Sequence, residues 1–551
     1  LNVKNQPGET RLRFEVSGGG KRMEESHDIM INFPNAYESQ IDRKRLENGE
    51  SVEWTLSAPG YPGVANYSLQ VSGLKLPQFS EYADKLIRFP YGCLEQTVSR
   101  AMGQLYLDEV LDLSSDEAQK REEYVQAALT KLSAYRGSDG RFYLWAGANY
   151  YNAWSDIYAG YFLLEARDRR FHIPEGILDH WQQIQTDLAN KWNVQGASNQ
   201  LMQISEEQIQ AFRLYLLARS GAPALGAMNR LSQSAAQNYL TEILLAGAYQ
   251  LAAYGNMAEK WLNKAFVSYS AQNAYSGYNS YTYGGRDRNE CLMIDVVSLF
   301  PDQRGRLEEL YEGMVDRLND RSWASTQTMA FAFLAANRYL KGIPANIDGT
   351  MNFRYTEGGN SRNYQVDYFK TQYFSFGSEA DGKKLLLENL GDAPIHVQQL
   401  TRFVPDELKK NAKSSKLSIS ASIGGQVLDD SKLVRVTSGE EVLIYVRISN
   451  ESLRDFKDLA LNLKMPAGLE LLNPRVFKTV TMKPSSPSIH QDYRDDRVYT
   501  FFNLRKSKAK EYYFVAKAAF SGDFTLPSIR CEHMYNGDVY AETASGRLIV
   551  E

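Results

Sequence analysis

The chain has 551 residues, too many for one hydrophobic core, so several domains are expected. Its 62 lysines and arginines against 66 aspartates and glutamates give a formal charge of −4, which excludes the basic footprint of a nucleic-acid binder. With 43% hydrophobic and 23% charged residues the composition is ordinary for a globular protein; three cysteines exclude a disulfide framework, and no apolar run reaches membrane-spanning length.

The first residues, "LNVKNQPGETRLRFEV", start in mid-pattern with neither a signal peptide nor a lipid-attachment motif, and the chain is expected to be a fragment of a longer protein. Residues 1 to about 75 alternate with period two in "RLRFEVSG", "HDIMINF", "SVEWTLSA" and "ANYSLQVSG", with Gly, Pro and Asn clusters between, which predicts antiparallel β structure. From about 80 to 342 apolar residues recur every three or four positions, as in "VSRAMGQLYLDEVL", "EEQIQAFRLYLLARSG" and "YLTEILLAGAYQLAAYG". Helical hairpins that repeat along one region predict a closed ring or solenoid, because each pair needs a neighbour to bury its second face. Strand texture returns after Ile343-Pro344 in "GTMNFRYTEG" and "KKLLLENLGDAPIHVQQLTRFV". A polar linker, "PDELKKNAKSSK", leads to a last β domain whose "EVLIYVRISN" and "YYFVAKAAF" alternate as in a sandwich. The short first β stretch is expected to be completed by residues 345 to 405, which makes the helical domain an insertion.

The chemistry concentrates in "RFPYGCLEQTVSR", residues 88 to 100. A residue on the first turn of a helix shares a face with the one three positions on, so Cys93 and Gln96 project together. Free N–H groups at a helix start favour thiolate over thiol. A thiolate held against an amide carbonyl gains an effective concentration worth ~7 kcal/mol of barrier. Loss of ammonia then leaves an internal Cys–Gln thioester, whose oxyanion the same helix-end donors stabilise when a nucleophile attacks. Phe89, Pro90 and Tyr91 stand where they can keep water out, and Gly92 permits a sharp turn. The plainer reading of these residues is a buried, inert cysteine at a helix start.

The stretch "YGCLEQ" resembles the thioester motif of the α2-macroglobulin family, most closely its bacterial members, and the similarity runs over essentially the whole chain. "WSDIYAGYFLLEA" and "WASTQTMAFAFLA" are similar to segments of the family's thioester domain. "PAGLELLNP", "DYRDDRVYTFF" and "ASGRLIV" resemble its final macroglobulin-like domain. The resemblance implies a multidomain all-α plus all-β fold. An α/α-toroid thioester domain (79–343) is inserted in a CUB-like β-sandwich (1–78 and 344–412) and followed by a C-terminal macroglobulin-like, receptor-binding-type sandwich (413–551).

By the same resemblance Cys93 supplies the thioester sulfur and Gln96 the acyl carbon. The family traps proteases: a cut in a bait segment triggers rearrangement, and the exposed thioester acylates a lysine of the attacker. The bait lies upstream in the family, outside this chain. The protein is then a single-use inhibitor rather than an enzyme, needing no cofactor or metal, with proteases and small amines such as methylamine as partners and no nucleic acid. A periplasmic location follows from the bacterial resemblance, with a lipid anchor to the inner membrane outside this chain. Relatives in the complement branch steer the acyl group with a downstream histidine; His172 and His180, within the helical domain, lack a matching context, so amines are expected over hydroxyls. Bacterial relatives often carry a tyrosine four residues before the cysteine, where this chain has Phe89.

Glu95 either polarises the site or begins the helix, where carboxylates are favourable in any case. The loop "NAYSGYNSYTYGGRDRNEC" offers Tyr281 and Tyr283 as shelter for the thioester, or packs as an ordinary aromatic loop. Cys291 and Cys531 fall in different domains and are expected to be unpaired and buried. Two rivals remain: a carbohydrate-active enzyme on an α/α ring with Asp156 or Asp295 as acid and base in a central cavity, or an adhesion or scaffold module with Cys93 inert.

Overall fold

The structure, a computed structural model, describes residues 8–31, 33, 35, 37–77, 79, 82, 86, 92–110, 113, 115–148, 150–193, 200–234, 238–272, 279–320, 323–342, 349–406, 412–428, 433–474 and 484–551. No helix among them is long and apolar enough to cross a membrane.

The middle of the chain is a closed double ring of helices. Among the described residues, Leu94–Leu105 packs on Ala153–Asp168, which touches Gln200–Arg219, then Tyr239–Leu251, Arg286–Val297 and Thr326–Lys341, which returns to Leu94–Leu105. These inner helices are buried on nearly all sides, and polar residues they carry, such as Glu165, Arg288 and Asp295, are buried with them. Outside them lie helices with one exposed face, Ser115–Lys131, Ile177–Lys191, Gly255–Gln272 and Arg304–Asn319. Side-chain caps fix three inner starts: Asn152 accepts from Ser155 N (2.9 Å), Asn238 from Leu240 N (3.1 Å), and Ser325 from Thr328 N (3.1 Å).

Buried charges tie the inner ring together. Arg338 donates to Asp295 (2.8 Å) and Glu165 (2.8 Å), while Tyr215 donates to Asp295 (2.7 Å). Tyr161 also reaches Asp295, and Tyr106 and Arg219 reach Glu165. Burial pushes the Asp295 carboxyl up, but Arg338 and Arg219 overcome it and hold it below its ordinary value. Asp295 is therefore a structural anion. Asp156 accepts from Phe142 N (3.1 Å), Tyr151 (3.0 Å) and Gln185 (2.9 Å), but burial outweighs these donors and raises its carboxyl to about 6.

Strands on either side of the helical region pair with each other. Glu38–Leu46, Ile395–Phe403, Asn66–Ser72 and Thr371–Phe376 form one sheet in that order; Ser51–Thr55, Lys384–Asn389, Thr350–Glu357 and Asn360–Asp367 form another. Their facing sides bury Trp54, Leu69, Val71, Phe353, Leu387 and Val397. Gly8–Gly18 and Lys21–Ile31 pair as a separate hairpin. The C-terminal strands, from Lys413–Ser415 to Gly546–Val550, make three further sheets around a core of Ile444, Leu461, Phe502 and Phe514.

That last sandwich docks on the helical ring. Trp145 stacks on His490 (4.6 Å between centroids) and meets Phe501 (4.3 Å), and Tyr499, Met534 and Tyr535 join the apolar core of the ring. The docked edge lies over the start of the helix Leu94–Leu105.

Candidate functional site

Cys93 is the residue that begins this helix, with extended backbone (φ −73°, ψ 165°) and its carbonyl accepting from Thr97 N at 2.9 Å. Two contacts from the ring fix it: Leu94 N donates to Leu144 O (2.8 Å), and Tyr135 donates to Gly92 O (2.5 Å). The Tyr135 hydroxyl also lies 2.9 Å from Thr97 Oγ1. Among the described residues, a Cβ at Gly92 would lie 3.9 Å from the Lys131 ammonium. Phe89 and Tyr91 lie outside the described residues.

Cys93, Glu95 and Gln96 are all completely buried. What closes over them is the two-residue turn Met534-Tyr535 between the strands Arg530–His533 and Asn536–Glu542. The Tyr535 hydroxyl is 3.8 Å from Cys93 Sγ, and Gln96 Nε2 is 3.8 Å from Met534 Sδ, while Gln96 Oε1 has no hydrogen-bond partner among the described residues. Tyr283 is buried and stacks on Tyr535 (centroids 4.5 Å, 29° between planes), so that loop tyrosine backs the cover rather than lying on Cys93 itself. Tyr281 is half-buried beneath the Lys457 ammonium, 3.6 Å from its ring centroid.

The turn is held from beneath by a β-bulge in the strand Phe456–Lys464. Asp458 sits there with φ 56°, its N–H donating to Asn503 Oδ1 (3.0 Å) and its carbonyl accepting from Met534 N (3.1 Å). His533 Nδ1 accepts from Tyr535 N (3.1 Å), and burial pushes that imidazole down to about 3, so it stays neutral.

Electrostatics inside the closed site oppose the thiolate that a helix start alone predicts. Burial and then the Glu95 carboxylate push the Cys93 thiol far up, against which the Gln96 backbone N–H and the Tyr535 hydroxyl pull only weakly. The expectation of a thiolate is corrected accordingly: desolvation outweighs the helix-end field. Glu95 is not a solvated first-turn carboxylate. It accepts from Ser99 Oγ (2.7 Å) and Thr326 Oγ1 (3.0 Å), and burial raises it to about 7 despite those bonds and the nearby Arg288 guanidinium. Asp458 is likewise raised to about 7 by burial, with Lys457 lowering it and Glu95 raising it further.

Neither ring histidine joins the site: His172 is exposed, and His180 packs against Gly140. Cys291 and Cys531 are free and buried; Cys291 Sγ contacts Met314 Sδ at 3.2 Å, and Cys531 lies in the C-terminal core. No local pattern marks Met534, Tyr535 or Asp458. The "NG" at 536–537 points to a turn one step later, yet Asn536 pairs with His533 and the apolar pair takes the tip.

A family model for the A-macroglobulin TED domain matches residues 67–214, and one for the bacterial α2-macroglobulin MG10 domain matches residues 411–538. The chain is 23% identical over 560 residues to α2-macroglobulin of Xylella fastidiosa strain Temecula1, covering 95% of this chain and 33% of the relative. It is 23% identical over 549 residues to that of Escherichia coli K12, covering 92% and 31%. It thus spans about a third of the length of these curated relatives. The crystal structure of native E. coli α2-macroglobulin from domain MG7 to the C-terminus superposes with a TM-score of 0.81 at 20% identity, over 99% of this chain and 88% of that one. Salmonella α2-macroglobulin reacted with methylamine gives 0.81 at 22%, over 99% and 36%.

Proposed function

Since the chain belongs to the bacterial α2-macroglobulin family, a family of protease-trapping proteins, we propose that Cys93 and Gln96 form an internal thioester that acylates amines of an attacking protease. The observation that carries this reading is the joint burial of the two side chains on one helical turn beneath consecutive residues of another domain.

Formation joins the Cys93 sulfur to the Gln96 acyl carbon and releases ammonia. In the trapping step a neutral lysine amine attacks that carbon, the C–S bond breaks, and an isopeptide bond forms. The amine's proton ends on the Cys93 sulfur, which leaves as thiol. Two features of the closed site hold this back. Met534 and Tyr535 cover the acyl group, and burial beside Glu95 disfavours a leaving thiolate. Separation of the C-terminal sandwich from the ring lifts both restraints together. The reaction happens once per molecule, so the protein is a consumable inhibitor and not an enzyme.

In the longer protein the trigger is a cut in a bait segment outside this chain. The sandwich built from both sides of the ring is the CUB-like domain of the family. The periplasm, with an inner-membrane lipid anchor outside this chain, is the location in which such a trap meets its proteases. Reaction of the Salmonella relative with methylamine supports small amines as surrogate nucleophiles here. The carbohydrate-enzyme reading loses its acid and base, because Asp156 and Asp295 spend their oxygens on internal donors.

Intact mass and thiol titration of the native chain, before and after methylamine, test the proposal. A mass short by one ammonia, with one thiol released by methylamine and none in Cys93→Ala, is expected. Full mass with no methylamine-dependent thiol would leave Cys93 as the inert cysteine of a scaffold module.

A further inference from the structure

We propose that the polar seam between the two-part sandwich and the helical ring binds a small hydroxyl-bearing oxyanion, with the chemistry of a phosphate monoester. The inference is independent of the thioester, and neither reading falls with the other.

Strand register builds the seam. Arg43, Gln398 and Gln70 lie directly opposite one another across three neighbouring strands, and Arg45, His396 and Ser72 form the next row on the same face. The other face of the central strands carries Val397 and Val71, which fill the sandwich core. The polar face is covered by Lys75 and Leu76, where the chain leaves the sandwich, and by Asn319 at the end of its helix, with Asn319 Nδ2 donating to Leu76 O (3.1 Å). Between them is a cavity of about 220 Å³. At ~30 Å³ per water it has room for a ligand of several heavy atoms.

Polar side chains that two bodies bury between them normally pair with each other. Here two do not. Arg43 Nε donates to Gln398 Oε1 (3.2 Å), which fixes the amide so that Nε2 is its donor end. That Nε2 has no hydrogen-bond partner among the described residues, although Gln398 is only 7% exposed. In the same row Gln70, 4% exposed, leaves Oε1 without a partner among the described residues. An orphaned buried polar atom costs roughly 1–3 kcal/mol, so one unmatched donor and one unmatched acceptor describe a ligand with an acceptor oxygen and a hydroxyl.

The charge of the walls selects its sign. Arg43, Arg45 and Lys75 line the cavity; Glu47 pairs with Arg45 and Asp316 with Lys75. Burial, then Arg45 and Lys75, push His396 down to about 4 against Asp316, so the imidazole is neutral and the positive charge of the walls comes from the arginines and Lys75. Guanidinium forks recognise phosphate oxygens in this way. A ligand here touches the sandwich and the ring at once and fastens one to the other.

Glycerol 3-phosphate is the probe, titrated calorimetrically into the whole chain at low ionic strength, with sodium chloride at matched ionic strength as the control. A single saturable site is expected, weakened roughly tenfold or more in Gln398→Leu and Arg43→Gln. The unliganded melting temperature of Gln398→Leu is expected to stay level, since removal of the buried orphan offsets loss of the bond from Arg43 Nε, and this separates lost binding from lost folding. Co-sedimentation with phosphatidylglycerol vesicles, lost in the same variants, would assign the ester to a lipid headgroup; soluble binding without it assigns a free metabolite. No saturable heat, equal affinity in both variants, or an equal response to chloride would overturn the site.

Discussion

The Tyr535 hydroxyl stands 3.8 Å from the Cys93 sulfur, although 442 positions separate the two residues. Cys93 and Gln96 are thus carried by one domain and closed over by another, so under the proposed thioester reading the docking of the C-terminal sandwich sets how often water or an amine reaches Gln96. Truncating Tyr535 removes its stacking on Tyr283 as well as its contact with sulfur. Loss of a buried ring of this size costs about 3 kcal/mol or more. Charged to the docked state, that raises the open population on the order of a hundredfold. Tyr535→Ala is expected to release the Cys93 thiol far faster with methylamine, while Tyr535→Phe, which keeps the ring, stays near the parent. Thiol release against time measures both; equal rates in Tyr535→Ala and the parent would separate the cover from the chemistry.

The two buried carboxyls, Glu95 and Asp458, make docking pH-dependent. Their ordinary values are 4.5 and 3.8, and both rise to about 7 in the closed site. A raised carboxyl favours the closed state while it is protonated. That stability is fully present below the ordinary values and is lost as pH climbs through 7. His533 and His396, pushed down to about 3 and about 4, act in the opposite sense, losing stability as pH falls below 6.5. The informative quantity is therefore the difference between the parent and Asp458→Asn. The variant is expected to gain in melting temperature at pH 8 relative to pH 5.5, and to release thiol more slowly at pH 8. The same shift at both pH values would mean that Asp458 does not titrate there.

What the sequence revealed follows the range over which each signal acts. "YGCLEQ" was readable because one helical turn places Cys93 and Gln96 together whatever surrounds them. The ring was readable because apolar residues recur every three or four positions along its helices, as in "YLTEILLAGAYQLAAYG". The cover was not. Met534 and Tyr535 acquire their position from a register in which Asn536 pairs with His533, and from a bulge at Asp458, and neither leaves a local trace. The state of Glu95 depends on Thr326, far along the chain, so first-turn logic alone treats it as a solvated carboxylate. Desolvation, which reverses the thiolate expectation for Cys93, is likewise a property of the assembled interface.

Close packing inside the ring gives a second kind of test. A Cβ at Gly160 would lie 2.0 Å from the Trp181 indole, whose Nε1 donates to Asp156 O (3.2 Å). Gly160→Ala gains helix propensity of up to about 1 kcal/mol but must displace a ring anchored on the same helix. A net loss of roughly 1–3 kcal/mol in urea unfolding is expected. A neutral or stabilised variant would show that the outer helix Ile177–Lys191 shifts freely on the inner one.

The buried charges of the ring make the sharpest stability prediction. Arg338 bridges Asp295 and Glu165, which stand on two different inner helices. Removing it leaves Glu165 with Arg219 and Tyr106, but leaves Asp295 with tyrosine hydroxyls as its direct partners among the described residues. Breaking such a pair from one side costs about 3–5 kcal/mol, because the remaining carboxylate is buried with less compensation. Arg338→Leu is expected to lose that much in urea unfolding. Asp295→Asn added to it should recover part of the loss, since the unpaired anion is then gone. The cycle of the two single variants and the double measures the coupling directly. An additive cycle would mean that the contact contributes shape rather than charge to the ring that carries Cys93.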